Sequence, residues 1–313
     1  MAADGSTKAV VTALAANIGI AVSKFVGFAL TGSSSMLAEG VHSVADSSNQ
    51  GLLLIGGKRA RQDASSTHQF GYGRTRYVAA FLVSVILFTL GGLFAIYEAW
   101  HKFSDPHPIT EWQWVPIAVL LLAMVFEGYA LRTAVQIANK ERGKRSYMSY
   151  IRRSRSPELP VILLEDAGAL LGLAFGLVGV GMTLYTGDGR WDAAGSAAIG
   201  VLLVIIAVFL AMEMHSMLIG ESALPEHEAA IKAALIGDGI DSIIHMRTLH
   251  LGPEEVLVAA KVAVDHLDAA GEIARAIDAA EERMRAAVPG IELQIYIEPD
   301  LHRPDAPDHG TLR

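Results

Sequence analysis

Residues 37–56 read LAEGVHSVADSSNQGLLLIG, an apolar run of helical character that carries Glu39, His42 and Asp46 in its middle. On a helix, His42 and Asp46 lie one turn apart on one face, with about 6 Å between their β-carbons. Glu39 precedes His42 by three residues and Asn49 follows Asp46 by three, so a polar stripe runs down one side of the segment. Each ionisable group costs roughly 2.5–3.5 kcal/mol at the centre of a bilayer on insertion scales, so such groups face a partner, a bundle interior or an aqueous path. A buried network that merely locks helices together is the plainer reading. A His and an Asp at helical spacing, with a second acidic span elsewhere, point to a cation site.

The surroundings are those of a membrane protein. Of 313 residues, 52% are hydrophobic and 19% charged, and the mean hydropathy is +0.37. A spanning helix needs roughly 20 mostly apolar residues. Six segments qualify, at about residues 10–30, 36–56, 78–100, 115–135, 159–184 and 193–214. The N-terminal MAADGSTK lacks the features of a cleavable signal, so the first span is expected to stay. Lys58, Arg59, Arg61, Arg74 and Arg76 follow the second span, and a second basic group from Lys140 to Arg155 follows the fourth. Positive loops face the cytoplasm, which predicts both termini inside, and the length without a transit peptide suggests a multi-pass protein of a bacterial inner (plasma) membrane. Cysteine is absent, so any metal must be held by nitrogen and oxygen.

From Leu218 onward the composition changes, with 8 Lys and Arg against 18 Asp and Glu. That part carries −10 of the net charge of −8 and leaves +2 for the membrane part. Its hydrophobic periodicity reads helix, strand, strand, helix, strand, with the second helix opening at an Asp cap and closing at Pro289-Gly290. The expected organisation is a membrane all-α six-helix transmembrane domain over 1–217, a small α+β, ferredoxin-like αββαβ cytoplasmic domain over 218–303, and a disordered tail over 304–313.

The second acidic span is LPVILLEDAGALLGLAFGLVG, residues 159–179, with Glu165 and Asp166 adjacent and so about 100° apart on a helix. Only one of them can point squarely at the stripe. Gly168, Gly172 and Gly176 follow at four-residue steps, a face on which another helix can approach closely. Glu127 lies in mid-span as a candidate arginine partner or proton carrier, Glu98 sits near an outer interface, and Asp192 is expected to cap the sixth span. No nucleophile motif, phosphate loop or cofactor fingerprint is present, so the reading is not an enzyme and gives no nucleic-acid partner.

SSSMLAEGVHSVADSSNQ at 33–50 resembles the second-span signature of the cation diffusion facilitators, in which an H-x-x-x-D or D-x-x-x-D pair binds the transported metal. HQFGYGRTRY at 68–77 is similar to the loop before their third span, and LGPEEVLVAAKVAVD and IYIEPD to portions of their cytoplasmic domain. The likeness runs from about residue 17 to 300, and FGYGR with LLED is most similar to the zinc transporter nine-like branch.

The resemblance implies a metal site made of His42, Asp46 and Glu165. The usual second ligand of the fifth span is missing, because Ala169 stands four residues after Glu165. Asp166, Asn49 or water would complete the shell. A loop metal site is degraded, with His68 kept and Tyr72 at the second His position, and the tail's H-x-D-P motif appears as YIEP. His245, His250 and His266 leave only a weaker improvised tail site. The implied activity is proton-coupled export of a divalent cation, Zn2+ first, with manganese, iron or cobalt open, by a homodimer in the lipid bilayer. The nitrogen ligand favours a transition metal over magnesium or calcium. The alternative is a non-transporting membrane metal sensor or scaffold that acts through the acidic cytoplasmic domain.

Overall fold

The chain turns from its first helix, α1 (Ile18–Thr31), into α2 (Ser34–Ala60) at Gly32, whose φ of +63° suits a residue without a Cβ. This is a computed structural model, which describes residues 18–265 and 269–301. The expected tail at 304–313, the start of the first span, the Asp cap of the tail's second helix and His266 lie outside the described residues.

The described residues divide into two compact units. The first holds the residues up to Lys58 and Tyr77–His215, and the second holds Arg59–Arg76 and the residues from Ser216 onward. After α2 the first unit continues with α3 (Thr75–Ser104), α4 (Trp114–Arg142), the short α5 (Tyr147–Arg153), α6 (Glu158–Thr186) and α7 (Arg190–Ile219). Among the described residues, α3, α4, α6 and α7 are long and apolar enough to cross a membrane. α2 is as long as these, but its stripe of ionisable and amide groups dilutes its hydropathy, and α1 is described only from Ile18. Apolar side chains such as Ile55, Val125, Val178 and Ile205 are more than half exposed on these helices, as a lipid-facing surface requires.

Small residues set the helix crossings. A Cβ on Gly200 of α7 would lie 2.9 Å from the carbonyl oxygen of Gly92 in α3, within a π-helical stretch from Leu87 to Leu93. A Cβ on Gly179 of α6 would lie 2.8 Å from the Trp191 carbonyl of α7. The expected glycine face of α6 is in use: Gly168 meets Ile206 of α7, and Gly172 and Gly176 meet Glu39 and Ser35 of α2. α2 and α6 therefore approach closely along the polar stripe.

Asp192 departs from expectation. It sits in the first turn of α7, yet its buried carboxylate accepts from Ser34 N at 2.7 Å, Ser35 N at 3.2 Å and Ser33 Oγ at 2.9 Å. It therefore caps α2 and not the helix that carries it. A carboxylate at a helix N-terminus meets unpaired N–H groups and the positive end of the dipole, and positions 35 and 192, 157 residues apart, come within reach only in the folded state.

The second unit is built as α8 (Pro225–Leu235), β1 (Ser242–Gly252), β2 (Glu255–Val264), α9 (Ala270–Ala287) and β3 (Glu292–Leu301). β2 is the central strand, antiparallel to β1 and parallel to β3, and α9 supplies the crossover that a parallel pair needs. Val256, Val258, Ala260, Val262 and Val264 alternate onto one face, where they pack with Ile231 and Leu235 of α8 and Ala276, Ala280 and Met284 of α9. The glycines of the FGYGR loop have a local reason: Gly71 takes φ +74°, and a Cβ on Gly73 would lie 2.8 Å from the Leu251 carbonyl.

Candidate functional site

The stripe of α2 is buried. Glu39, His42 and Asn49 are at most 1% exposed, and Ser35, Ala38, Ala45 and Leu53 share their face, as a period of 3.6 residues demands. Asp46, the next ligand candidate down the stripe, keeps some access to the adjoining cavity, its side chain being 17% exposed.

Two contacts organise the expected metal residues. His42 Nδ1 stands 3.5 Å from Asp46 Oδ1 on the same helix. Across the α2–α6 contact, Asn49 Nδ2 donates to Glu165 Oε1 at 2.6 Å. Both ring nitrogens of His42, Asp46 Oδ1 and Asn49 Oδ1 are buried without a hydrogen-bond partner. Buried polar atoms are rarely left so, and the single lone pair of a neutral imidazole beside two acceptor oxygens is an arrangement that a cation satisfies. Among the described residues no three His, Asp or Glu side chains close on one point. The set consists of two pairs, one on α2 and one between α2 and α6.

Asp46 and Glu165 both line a cavity of about 560 Å³, together with Ser43, Gln50, Glu127 and Asp166. Asp166 thus faces the same space as its neighbour Glu165, although the two point to different sides of α6. Ala169 is 2% exposed in the core and brings no ligand. Glu127 of α4 also belongs to this cavity.

Sequence reasoning missed Lys24. It is wholly buried in α1, and its Nζ donates to Glu39 Oε2 at 2.9 Å and to Ser43 Oγ at 2.8 Å. Glu39 is therefore an ion-pair partner in the interior. The signal was available, since a lysine within an apolar run implies an acidic or carbonyl partner.

The eroded sites hold other contacts. His68 stacks on Tyr72 with ring centroids 4.5 Å apart. In YIEP, Glu298 pairs with Lys261 at 3.0 Å, and Asp300 pairs with the same ammonium at 3.0 Å. These hydrogen bonds, which the ammonium gives first to Asp300 and then to Glu298, hold Lys261 above the ordinary lysine value. His250 is buried, with Nδ1 3.0 Å from the Gly252 carbonyl, so that nitrogen is engaged within the β1–β2 turn.

Four described helices apolar enough to span a bilayer, packed with a helix that carries a buried imidazole, and a small αββαβ unit define an integral membrane protein. The chain belongs to the cation efflux, or cation diffusion facilitator, family, matching the cation efflux transmembrane domain over residues 10–219. Within it the chain falls on the zinc transporter nine-like branch. It is 32% identical over 264 residues to the mitochondrial proton-coupled zinc antiporter SLC30A9 of Homo sapiens, covering 83% of this chain and 46% of that one. It is 30% identical to metal tolerance protein C4 of Arabidopsis thaliana, over 79% of this chain and 55% of the relative. The cation-efflux pump FieF of Pectobacterium atrosepticum is 24% identical over 94% of this chain and 92% of its own. The chain thus spans about half the length of the human and plant relatives.

Proposed function

We propose that this protein is a proton-coupled exporter of divalent cations, with Zn2+ as the first substrate, and that His42, Asp46 and Glu165 hold the ion at mid-membrane. Asp166 and Asn49 are the secondary donors, standing in for the ligand that Ala169 does not provide. The observation that carries this reading is the group of buried, unpartnered polar atoms, the ring nitrogens of His42 with the acceptors Asp46 Oδ1 and Asn49 Oδ1, beside the α2–α6 contact. The name of the human relative, a proton-coupled zinc antiporter, agrees with it.

The chemistry supports exchange. A metal binds neutral imidazole and ionised carboxylate, and so competes with protons for the same lone pairs. A divalent ion against Asp46 and Glu165 leaves the site neutral, as does a proton on each carboxylate. Neither loaded state then carries a net charge through the low-dielectric interior, where charge is costly. The two states can favour opposite-facing conformations, which is antiport written as linkage.

The same reading includes six spans, with α1 and α2 crossing beside the four long apolar helices, over a membrane domain of 1–217. It puts the αββαβ domain of 218–303 and both termini in the cytoplasm, supported by the basic groups 58–76 and 140–155. It takes the protein as a homodimer in a bacterial inner membrane.

The test is metal uptake by proteoliposomes over a panel of zinc, manganese, iron, cobalt and magnesium, each with and without an imposed pH gradient. Gradient-dependent zinc uptake that is lost in His42→Ala and Asp46→Ala is the expected result. Unchanged uptake in both variants overturns the site, and no uptake of any metal overturns the function.

A further inference from the structure

We propose that Lys24 is an internal counter-charge that loosens the hold of the α2–α6 site on its divalent ion, by occupying Glu39 and keeping that carboxylate out of the ion's reach. The inference rests on the transport-site reading above and adds to it a positioning residue from a third helix.

Geometry carries the argument. Lys24 and Glu39 are both fully buried, and the ammonium holds Glu39 Oε2 at 2.9 Å and Ser43 Oγ at 2.8 Å. Those two acceptors flank His42 on α2, three residues before it and one after it. The ammonium therefore sits against the same turn of helix that presents the imidazole. Ser43 also lines the cavity that Asp46 and Glu165 share.

Glu39 would otherwise suit a cation. Its second oxygen, Oε1, is buried without a partner, and it occupies space that exists only because residue 172 of α6 is glycine. A Cβ there would lie 2.7 Å from Oε1. Glu39 and His42, three apart, share one helix face, which puts this carboxylate beside the imidazole, where its charge bears on the ion. With Lys24 in place the Lys24–Glu39 pair is electrically neutral, and the ion meets the charges of Asp46 and Glu165 with little added from Glu39. Without Lys24 the ion would face three carboxylates. A carrier that must let go gains from the weaker arrangement, because an ion held too tightly in one conformation is not released in the next.

A pair that only ties α1 to α2 makes a different forecast, so zinc binding to the full chain in nanodiscs, measured by titration calorimetry, decides. In Lys24→Gln the freed Glu39 is expected to tighten zinc about tenfold or more, and in Glu39→Gln the uncompensated ammonium is expected to weaken it about tenfold or more. The double variant, with both charges gone, should return to within about threefold of wild type, and Lys24→Arg, which keeps the charge, should stay there too. Zinc affinities of both single variants within about threefold of wild type, a Lys24→Gln that weakens binding, or a Lys24→Arg as tight as Lys24→Gln would each overturn the proposal. If Lys24→Gln fails to fold, Glu39→Gln decides alone, since its amide keeps the shape and an oxygen for Lys24. Failure of the wild type to bind zinc would instead overturn the transport-site reading.

Discussion

Asn49 on α2 donates its amide to Glu165 Oε1 on α6 across 2.6 Å, while its own Oδ1 is left without a partner. The amide thus ties the α6 carboxylate to the stripe of α2 and keeps an acceptor in reserve for an ion. Replacing it by leucine leaves Glu165 buried without a donor, a loss of about 1–3 kcal/mol. Asn49→Leu should therefore melt earlier than wild type without metal and recover part of the difference in zinc. Equal melting of the two proteins in both conditions would deny Asn49 this role.

Ala169 lies in the core four residues after Glu165, one helical turn on. Ala169→Asp supplies the acid that the fifth-span pattern of the family would have there. The expected outcome is tighter zinc binding by calorimetry together with slower uptake in proteoliposomes, as release becomes limiting. Unaltered affinity in folded protein would mean that position 169 does not face the ion.

Removal of the Asp192 carboxylate strips two backbone N–H groups and the hydroxyls of Ser33 and Ser34 of their acceptor at the buried start of α2. Asp192→Ala should cost about 2 kcal/mol or more, and Asp192→Asn less, because an amide oxygen still accepts. Thermal unfolding in nanodiscs measures both, and equal losses would point to charge alone and not to capping.

Gly200→Ala puts a methyl group 2.9 Å from the Gly92 carbonyl and 2.9 Å from Ile96 N. Backbone must move to admit it, at about 1–3 kcal/mol. The variant should lower the melting temperature while zinc affinity of the folded fraction stays as it was, since neither α3 nor this part of α7 lines the cavity.

Glu255 stands opposite Glu292 in the parallel register of β2 and β3. Burial, and then the charge of Glu292, raises the Glu255 carboxyl above the usual glutamate value, while a hydrogen bond from Gln294 opposes the rise. A raised carboxyl favours the folded state most below the ordinary glutamate value, and the benefit is lost as pH climbs through the raised one. Glu255→Gln should accordingly slow hydrogen exchange of β2 and β3 amides at pH 8 relative to wild type, by a few tenths of a kcal/mol. At pH 4 the two should converge, and the same offset at both pH values would refute the electrostatic cause.

Much of this was legible from local pattern. The stripe of Glu39, His42, Asp46 and Asn49 needs only the helical period, the glycine face of α6 only its four-residue spacing, and the alternation of Val256 to Val264 only the strand period. What escaped were pairings between distant positions. A period says that Lys24 and Asp192 are buried and need partners, but whether an acid caps its own helix or a serine-rich turn far away depends on tertiary approach. The six-span count was drawn from hydropathy, and α2 is the helix that hydropathy serves least, because the groups proposed for chemistry are the ones that make it polar.

The cap that Asp192 gives α2 bears on motion. Serines 33–35 and Asp192 form a buried pin joining the start of α2 to the start of α7, whereas α2 meets α6 over the bare glycines 172 and 176 and through the Asn49–Glu165 hydrogen bond. If the carrier rocks, the pin is the joint that stays closed and the glycine face is the bearing along which the Glu165 half of α6 slips. α2 and α7 would then travel as one arm with the end of α6, whose Thr183 Oγ1 accepts from Asp192 N, and the Asn49–Glu165 bond would have to break before Glu165 could part from His42 and Asp46.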